Sequence, residues 1–304
     1  MSASDVYLGR AETIGDLTLL SSGKVRDIYR VDENHLCFVT SDRVSAFDVI
    51  MPEGIPTKGR VLTRIAAHWF ERTQDIIENH LLTTDVEELP GLSPEERDRL
   101  RGRVMVVRTC EPTSVEWVVR GYITGSGWKE YEREGTVCGI PLPSGLAFCE
   151  RLPEPLFTPT TKDDGHDLPI TPDEARERVG DAVYEDALAA SMALFERGSE
   201  ELAKLDILLA DTKFEFGLRD GKVLLIDEAL TPDSSRFWPR AEYAVGRNQP
   251  SYDKQILRDW LETLDWNKEP PGPELDPGVV ARLVQRYDEI CTLITGGSLE
   301  GATA

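Results

Sequence analysis

The chain has 304 residues, 40% apolar and 29% charged, and its 34 Lys and Arg against 55 Asp and Glu leave a formal net charge of −21 at pH 7. That balance excludes a broad nucleic-acid or anionic-membrane surface, since both partners are polyanions repelled by the whole molecule, but it does not exclude small anions held in a basic cleft. No apolar run approaches the ~20 residues that cross a bilayer, and the opening MSASDVYLGRAETIGD lacks the basic start and apolar block of a secretion signal, so a cytoplasmic globular protein is expected.

Residues 24–50 alternate as paired strands, VRDIYRV and HLCFVTS, joined by the turn residues DEN. A helix is predicted across GRVLTRIAAHWFERTQDIIE, where Val61, Ile65, His68 and Trp69 recur at helical spacing, and Ser93 is placed to cap a short helix that opens with Glu95 and Glu96. RGRVMVVRTCEPTSVEWVVRGYITGSG reads as two strands broken at Glu111-Pro112, with a domain boundary near residue 115. Residues 138–168, rich in Pro, Gly and Thr, are too long for an ordinary connection and are expected to form a functional loop or lid. Thr171-Pro172-Asp173-Glu174 is a helix start, with a break predicted at Gly180 before the amphipathic pattern runs on to Lys204. Two strands follow, DILLADTKFEFG and KVLLIDEAL, then two C-terminal helices. The five cysteines are scattered, with no metal-ligand spacing, and are expected to be reduced thiols.

Chemistry concentrates in four segments. In DTKFEFG, residues two apart share a face, so Asp211, Lys213 and Glu215 project to one side and Thr212, Phe214 and Phe216 to the other. If Arg219-Asp220-Gly221 forms a three-residue hairpin loop, Leu218 pairs with Lys222 and Asp227 lies opposite Lys213; a two-residue Asp220-Gly221 turn would flip the parity. The three-residue loop is the expectation adopted. Two carboxylates and an ammonium converging in this way suit a nucleotide site, in which carboxylates share Mg2+ with substrate phosphates; the plainer alternative is an edge strand with a solvated face. The following TPDSSR adds Asp233 and Arg236 just past the strand end. The second segment, SGKVRD, puts Lys24 and Arg26 on one face beside a glycine turn, which fits phosphate binding but is weak by itself. The third, EWVVRGYITGSGWK, places Glu116, Val118 and Arg120 on one face and adds Ser126 and backbone amides that suit a phosphate monoester; a buried strand followed by a flexible turn explains it as well. The fourth, TSDRVSAFD, carries Asp42, Arg43, Ser45 and Asp48 and has the polarity of a surface connection. Of the histidines, only His166 in the Pro-rich stretch is considered as a lid residue.

GKVRDIY (23–29), SDRVSAFD (41–48), EWVVRGYITGS (116–126), DTKFEFG (211–217) and DEALTPDSSRFW (227–238), in this order over most of the chain, closely resemble the SAICAR synthetase family, in the longer form found in yeast and some bacteria. The resemblance implies an α+β, two-lobed ATP-grasp-like fold, with an N-terminal antiparallel-sheet lobe (1–115), a larger α/β lobe (116–304) and ATP bound between them. It implies a carbon–nitrogen ligase that joins L-aspartate to carboxyaminoimidazole ribonucleotide (CAIR) with ATP and Mg2+, giving SAICAR, ADP and phosphate in purine biosynthesis, through an acyl phosphate. Carried over by motif, Lys24 and Arg26 contact the ATP phosphates, and the backbone from Glu116 through Trp117 to Val118 meets the adenine. Lys213 is a further phosphate contact, Glu215 and Asp227 are Mg2+ ligands, and Lys213, Arg120 and Asp211 are the catalytic set. Arg120, Ser126 and Arg236 hold the 5′-phosphate of CAIR, with Asp233 on its amino group or ribose, while Arg43, Ser45 and Lys162 are candidates for aspartate. Small molecules are the only partners implied, without nucleic acid or membrane, and the oligomeric state stays open, a monomer being compatible. Two other readings share the same residues: a phosphotransferase acting on another acceptor, and a silent nucleotide-binding module.

Overall fold

The computed structural model describes residues 6–162 and 167–299, and its contacts divide the chain into two units, Met1–His68 with His80–Thr109 and Tyr252–Ala304, and Trp69–Asn79 with Cys110–Ser251. His166, considered above as a lid residue, lies outside the described residues.

The first unit opens with β1 (Thr13–Ile14), β2 (Leu17–Ser22), β3 (Arg26–Arg30) and β4 (His35–Thr40), followed by a separate hairpin of β5 (Arg43–Ala46) and β6 (Val49–Gly54). Helix α1 (Lys58–Arg72), β7 (Leu81–Thr83), α2 (Pro94–Leu100) and β8 (Val104–Arg108) come next. The main sheet runs β1-β2-β3-β4-β8-β7. Alternation in β3 and β4 turns Asp27, Tyr29, Cys37 and Val39 into the interior, all fully buried, where the three apolar residues join Leu89, Leu100 and Val104 in one core. A carboxylate on that buried side demands a counter-charge. The α2 start is as predicted: Ser93 and Glu96 cap each other, and Glu96 also accepts from the Gly15 amide at 3.0 Å. Helix α1 ends six residues before the predicted limit, because the Thr73 hydroxyl takes the Trp69 carbonyl (2.6 Å) and the amides of Ile76 and Ile77 fold back onto Thr73.

The second unit is built on a mainly antiparallel sheet. Its elements are β9 (Glu111–Pro112), β10 (Val115–Tyr122), α3 (Gly125–Glu134), β11 (Thr136–Val137), β12 (Ile140–Pro141), β13 (Arg151–Phe157) and β14 (Thr160–Thr161). Then come α4 (Pro172–Val179), α5 (Asp181–Ala203), β15 (Ile207–Arg219), β16 (Lys222–Ile226) and β17 (Ser235–Pro239). The thirteen-residue β15 pairs with β10, β16, β17 and β9 along its length. Its Phe214 and Phe216 are fully buried, and Trp117 of β10 meets the Phe216 ring edge-on at 5.7 Å and stacks on Phe157 at 5.3 Å. Residues 138–168, expected as one long loop or lid, contain β13, an edge strand of the sheet whose Pro153 and Pro155 suit an edge that donates few ladder hydrogen bonds. TGSG, expected as a flexible turn, leads straight into α3. Thr171 and Glu174 form a capping box at α4, and Gly180 separates α4 from α5 as predicted.

Helices α6 (Gln255–Leu261) and α7 (Pro277–Thr295) form where predicted, but they belong to the first unit, so the expected 116–304 lobe is not one compact body. Leu275 donates to Glu53 at 3.0 Å, and the Lys58 ammonium lies 5.9 Å from the centre of the Tyr287 ring in α7. All five cysteines are free thiols, and among the described residues no helix is long and apolar enough to cross a membrane.

The β15–β16 hairpin corrects the three-residue loop. Arg219 pairs with Lys222, leaving a two-residue turn with φ of 52° at Asp220 and 77° at Gly221, the left-handed pair that matches strand twist in a type I′ hairpin. Leu218 therefore pairs with Val223 rather than Lys222. A Cβ at Gly221 would meet no atom within 4 Å, so only backbone conformation opposes substitution. Gly221→Ala should cost about 1–2 kcal/mol in denaturant unfolding, whereas Asp220→Asn, which tolerates the left-handed region, should be close to neutral; equal stability of Gly221→Ala and the parent would contradict this turn.

Candidate active site

The antiparallel register of β10 and β15 sets Arg120 opposite Asp211 and Val118 opposite Lys213. The charged rows expected on each strand thus share one face. Lys213 reaches diagonally to Glu116 (2.5 Å) and along its own strand to Glu215 (3.0 Å). The second Glu116 oxygen accepts from the Thr160 hydroxyl at 2.7 Å, and Lys162 pairs with Glu215. Burial works against the Lys213 charge, but the carboxylates of Glu215, Glu116 and Asp227 outweigh it and raise its pKa above the ordinary lysine value. Burial also opposes the Glu215 charge, yet Lys213 and Lys162 bring its pKa down to about 2.

Asp227 acts on Lys213 although the hairpin register is the one that turns position 227 away. The parity rule stops applying there, because β16 ends at Ile226 and Asp227 leaves the strand with φ of 63°.

Two residues back along β15, a second cluster forms. The Asp211 carboxylate accepts from Arg120 (2.8 Å) and from Arg236 (2.5 Å), and Arg120 also donates to Thr158 (2.9 Å) and Ser126 (3.2 Å). Arg120 and Asp211 are 6% and 4% exposed, and burial lowers the Arg120 pKa against the pull of Asp211. Two guanidiniums share one carboxylate, leaving a net positive charge beside Ser126 in the first turn of α3. Thr124, at the N-cap of that helix, makes no capping hydrogen bond with its side chain, so the first-turn amides add to the anion-binding character. Arg236 is carried by β17, where it pairs with Asp211, and the preceding turn is fastened by Lys213 N–H to the Ser234 carbonyl (2.9 Å) and Thr231 Oγ1 to Glu228 (2.7 Å). Asp233 lies in that turn, its amide donating to Thr231 Oγ1 at 3.2 Å.

Two expected contacts are corrected. The Trp117 side chain is fully buried in the aromatic cluster, β10 pairs with β14 at Val115 and Glu116 and with β15 from Trp117 to Arg120, and the Val118 carbonyl accepts from the Thr158 amide at 2.8 Å, so the backbone of Glu116, Trp117 and Val118 is engaged in the sheet, against its expected contact with adenine. Arg43, in the first unit, is 3% exposed and spends all five N–H donors: on Asp27 (2.8 and 3.1 Å) and on the carbonyls of Leu8 (2.5 Å), Gly23 (3.1 Å) and Lys24 (3.2 Å). None is left for an aspartate carboxylate. Ser45 is half-buried on β5 opposite Ile50, and Lys162 is engaged with Glu215. Lys24 stands at the surface paired with Asp48, and Arg26 begins β3. Thr158 and Thr160, which hold Arg120 and Glu116, were not singled out in the sequence; the Thr-Pro-Thr-Thr run after PEPLF was their only signal.

Among the described residues no three His, Cys, Asp or Glu side chains gather as a metal cage. The donors near Lys213 are nevertheless hard carboxylate oxygens, three acids against two ammoniums, and they fit an Mg2+ that uses one or two carboxylates and completes its shell with phosphates and water. A carboxyl whose pKa falls from 4.5 to about 2 on folding stabilises the fold fully above its ordinary range, and this contribution is lost as acid carries it down through its folded value. Unfolding measured between about pH 6 and pH 2 should therefore show the wild type losing stability relative to Glu215→Gln as pH drops; a difference independent of pH would contradict the ion pairing.

A sequence profile described as SAICAR synthetase matches residues 19–273. The chain is 52% identical over 283 residues, 92% of this chain and 95% of the relative, to phosphoribosylaminoimidazole-succinocarboxamide synthase of Syntrophotalea carbinolica. It is 47% identical over 289 residues to the enzyme of the same name from Maridesulfovibrio salexigens, covering 94% of this chain and 97% of that one. The SAICAR synthase of Saccharomyces cerevisiae, solved in complex with SAICAR, superposes with a TM-score of 0.85 at 39% identity, over 96% of this chain and 99% of the yeast chain. The chain belongs to the SAICAR synthetase family.

Proposed function

We propose that the protein is the ATP-dependent ligase that joins L-aspartate to the carboxylate of CAIR, forming SAICAR, ADP and phosphate in purine biosynthesis. The observation that carries this reading is the pair of adjoining clusters on one sheet face: a net-positive one made by Arg120, Arg236 and Ser126 around Asp211, and a carboxylate-rich one made by Glu116, Glu215 and Asp227 around Lys213. The first suits a phosphate monoester such as the 5′-phosphate of CAIR, with Asp233 as a polar partner from the neighbouring turn. The second suits a metal-bound polyphosphate, which matches the use of a nucleoside triphosphate. The yeast relative's complex with SAICAR supports the same assignment of ligand class.

A carboxylate is a poor electrophile, so amide formation requires its activation. In the proposed sequence a CAIR carboxylate oxygen attacks the γ-phosphorus of ATP, the bond to ADP breaks, and an acyl phosphate forms; the aspartate amine then attacks the acyl carbon, loses a proton and expels inorganic phosphate. In this reading Lys213 stabilises negative charge on the phosphoryl group being transferred. Lys24 and Arg26 keep the role of phosphate contacts expected from the sequence. Glu215 and Asp227 would hold Mg2+, which when bound neutralises polyphosphate charge. Arg120 and Arg236 position CAIR, and Asp211 keeps both guanidiniums aimed at one point. Arg43 is not a candidate for holding aspartate, since it has no donor to spare. An unrelated phosphotransferase would use the same acidic cluster without needing an amine.

A coupled assay should show ADP release only when ATP, CAIR and aspartate are all present; release that ignores aspartate would overturn the ligase reading. Glu215→Ala should lower kcat by ~10²-fold or more with near-native circular dichroism, and Arg236→Ala should act chiefly on the KM for CAIR, by about tenfold or more. Full activity in Glu215→Ala would remove that residue from the nucleotide site.

A further inference from the structure

The SDR triplet Ser41-Asp42-Arg43 is polar in sequence yet fully buried or nearly so, and contacts of Ser41 and Arg43 converge on one turn. The carbonyls of three successive residues in that turn are all held from behind: Gly23 and Lys24 by the Arg43 guanidinium (3.1 and 3.2 Å), and Val25 by both the amide (2.9 Å) and the hydroxyl (2.5 Å) of Ser41. The turn is closed by the Gly23 amide on the Arg26 carbonyl at 2.8 Å. In a trans peptide the N–H lies opposite the C=O, so gripping the carbonyls of residues 23 and 24 aims the amides of Lys24 and Val25 away from Arg43, and gripping that of residue 25 aims the Arg26 amide away from Ser41.

We propose that Ser41 and Arg43 are positioning residues that fix the Gly23–Arg26 turn with its amides and its two cationic side chains presented together to a polyphosphate, and that Arg43 is not an aspartate-recognition residue. This rests on the reading of Lys24 and Arg26 as phosphate contacts. The guanidinium is locked in turn by Asp27, whose carboxylate is fully buried and accepts from Arg43 twice, from the Arg10 amide (2.7 Å) and from the Ser22 hydroxyl (2.6 Å). Every lone-pair direction of that carboxylate is used, so the clamp is saturated at both ends. It is also enclosed: Gly9, with φ of 71°, passes so close that a Cβ there would lie 2.1 Å from the Asp27 carboxylate. Asp27 neutralises Arg43, so the clamp contributes aim rather than charge. The charge comes from Arg26 and from Lys24, whose ion pair with Asp48 is about half exposed on both sides, 51% and 54%, and is weak enough to be exchanged for a phosphate. Arginine is required, since a lysine in its place has three donors on one atom and cannot span two carbonyls and a carboxylate at once.

The test compares steady-state kinetics of the full chain carrying Arg43→Lys, the charge-neutral double change Asp27→Asn with Arg43→Gln, and Lys24→Ala, each with its melting temperature. Arg43→Lys should raise the KM for ATP about tenfold or more, leave those for CAIR and aspartate within about twofold, and stay folded with a lowered melting temperature, since buried carbonyls lose donors; the double variant, which leaves no buried charge unpaired, should show the same selectivity. A folded Arg43→Lys with unchanged KM for ATP, or one in which only the KM for aspartate rises, overturns the proposal. So does a lowered melting temperature with all three KM values unchanged, the signature of a purely structural residue. Lys24→Ala separates the two readings: if it raises the KM for ATP while both Arg43 variants leave it unchanged, the clamp alone fails; if it too has no effect, the phosphate role of the turn fails and the clamp with it.

Discussion

The second unit depends on one strand whose two faces have opposite demands. β15 buries Phe214 and Phe216 on one side, and on the other carries Asp211, Lys213 and Glu215 into surroundings where Asp211 and Glu215 are less than a tenth exposed. Charges in such a place persist only if each has a partner. The partners come from β10 through register: Arg120 across from Asp211, Glu116 diagonal to Lys213. Deleting Asp211 would leave the Arg120 guanidinium buried without its carboxylate, at a cost of about 3–5 kcal/mol. The aromatic side and the charged side therefore enforce one another, since a one-residue slip between β10 and β15 would put tryptophan among the carboxylates and Glu116 among the rings.

The same pairing divides the charged face into two regions of different sign, and this connects the fold to the proposed chemistry. Around Asp211 the cations are in excess; around Lys213 the carboxylates are. A ribonucleotide phosphate and a metal-bound polyphosphate have complementary needs, and under the proposed assignment both regions on one strand would bring the reacting carboxylate and the γ-phosphoryl group within reach of a single scaffold. An overall charge of −21 is compatible with substrates that are all anions because the site segments concentrate the arginines and lysines.

How much of this could be read from the sequence depended on the range of the interaction. Strand alternation in DTKFEFG and EWVVRGY is a period of two and showed which side chains share a face; the capping boxes at Ser93 and Thr171 are local and were legible to the residue. The hairpin was misjudged by one position because Arg219-Asp220-Gly221 contains turn chemistry for both loop lengths, and Asp227 leaves the strand with a left-handed φ that alternation does not foresee. Helix α3 was hidden by the glycines at its start, although Trp128 and Tyr131 recur at helical spacing. Arg43 was mistaken for a ligand-binding residue because its partners lie far away in sequence: Asp27 is 16 residues off, as Arg103 is 61 residues from Asp42. Burial of a polar triplet by distant partners leaves no local trace. The grouping of α6 and α7 with the N-terminal sheet is hidden for the same reason.

The central claim is that this charged face activates a carboxylate by phosphoryl transfer before an amine attacks it. The most direct measurement supplies CAIR labelled with 18O in its carboxylate, together with ATP and aspartate, and follows the label by mass spectrometry or 31P NMR. The account predicts that each turnover delivers one labelled oxygen from the carboxylate to inorganic phosphate. Phosphate released without label while SAICAR accumulates would contradict it.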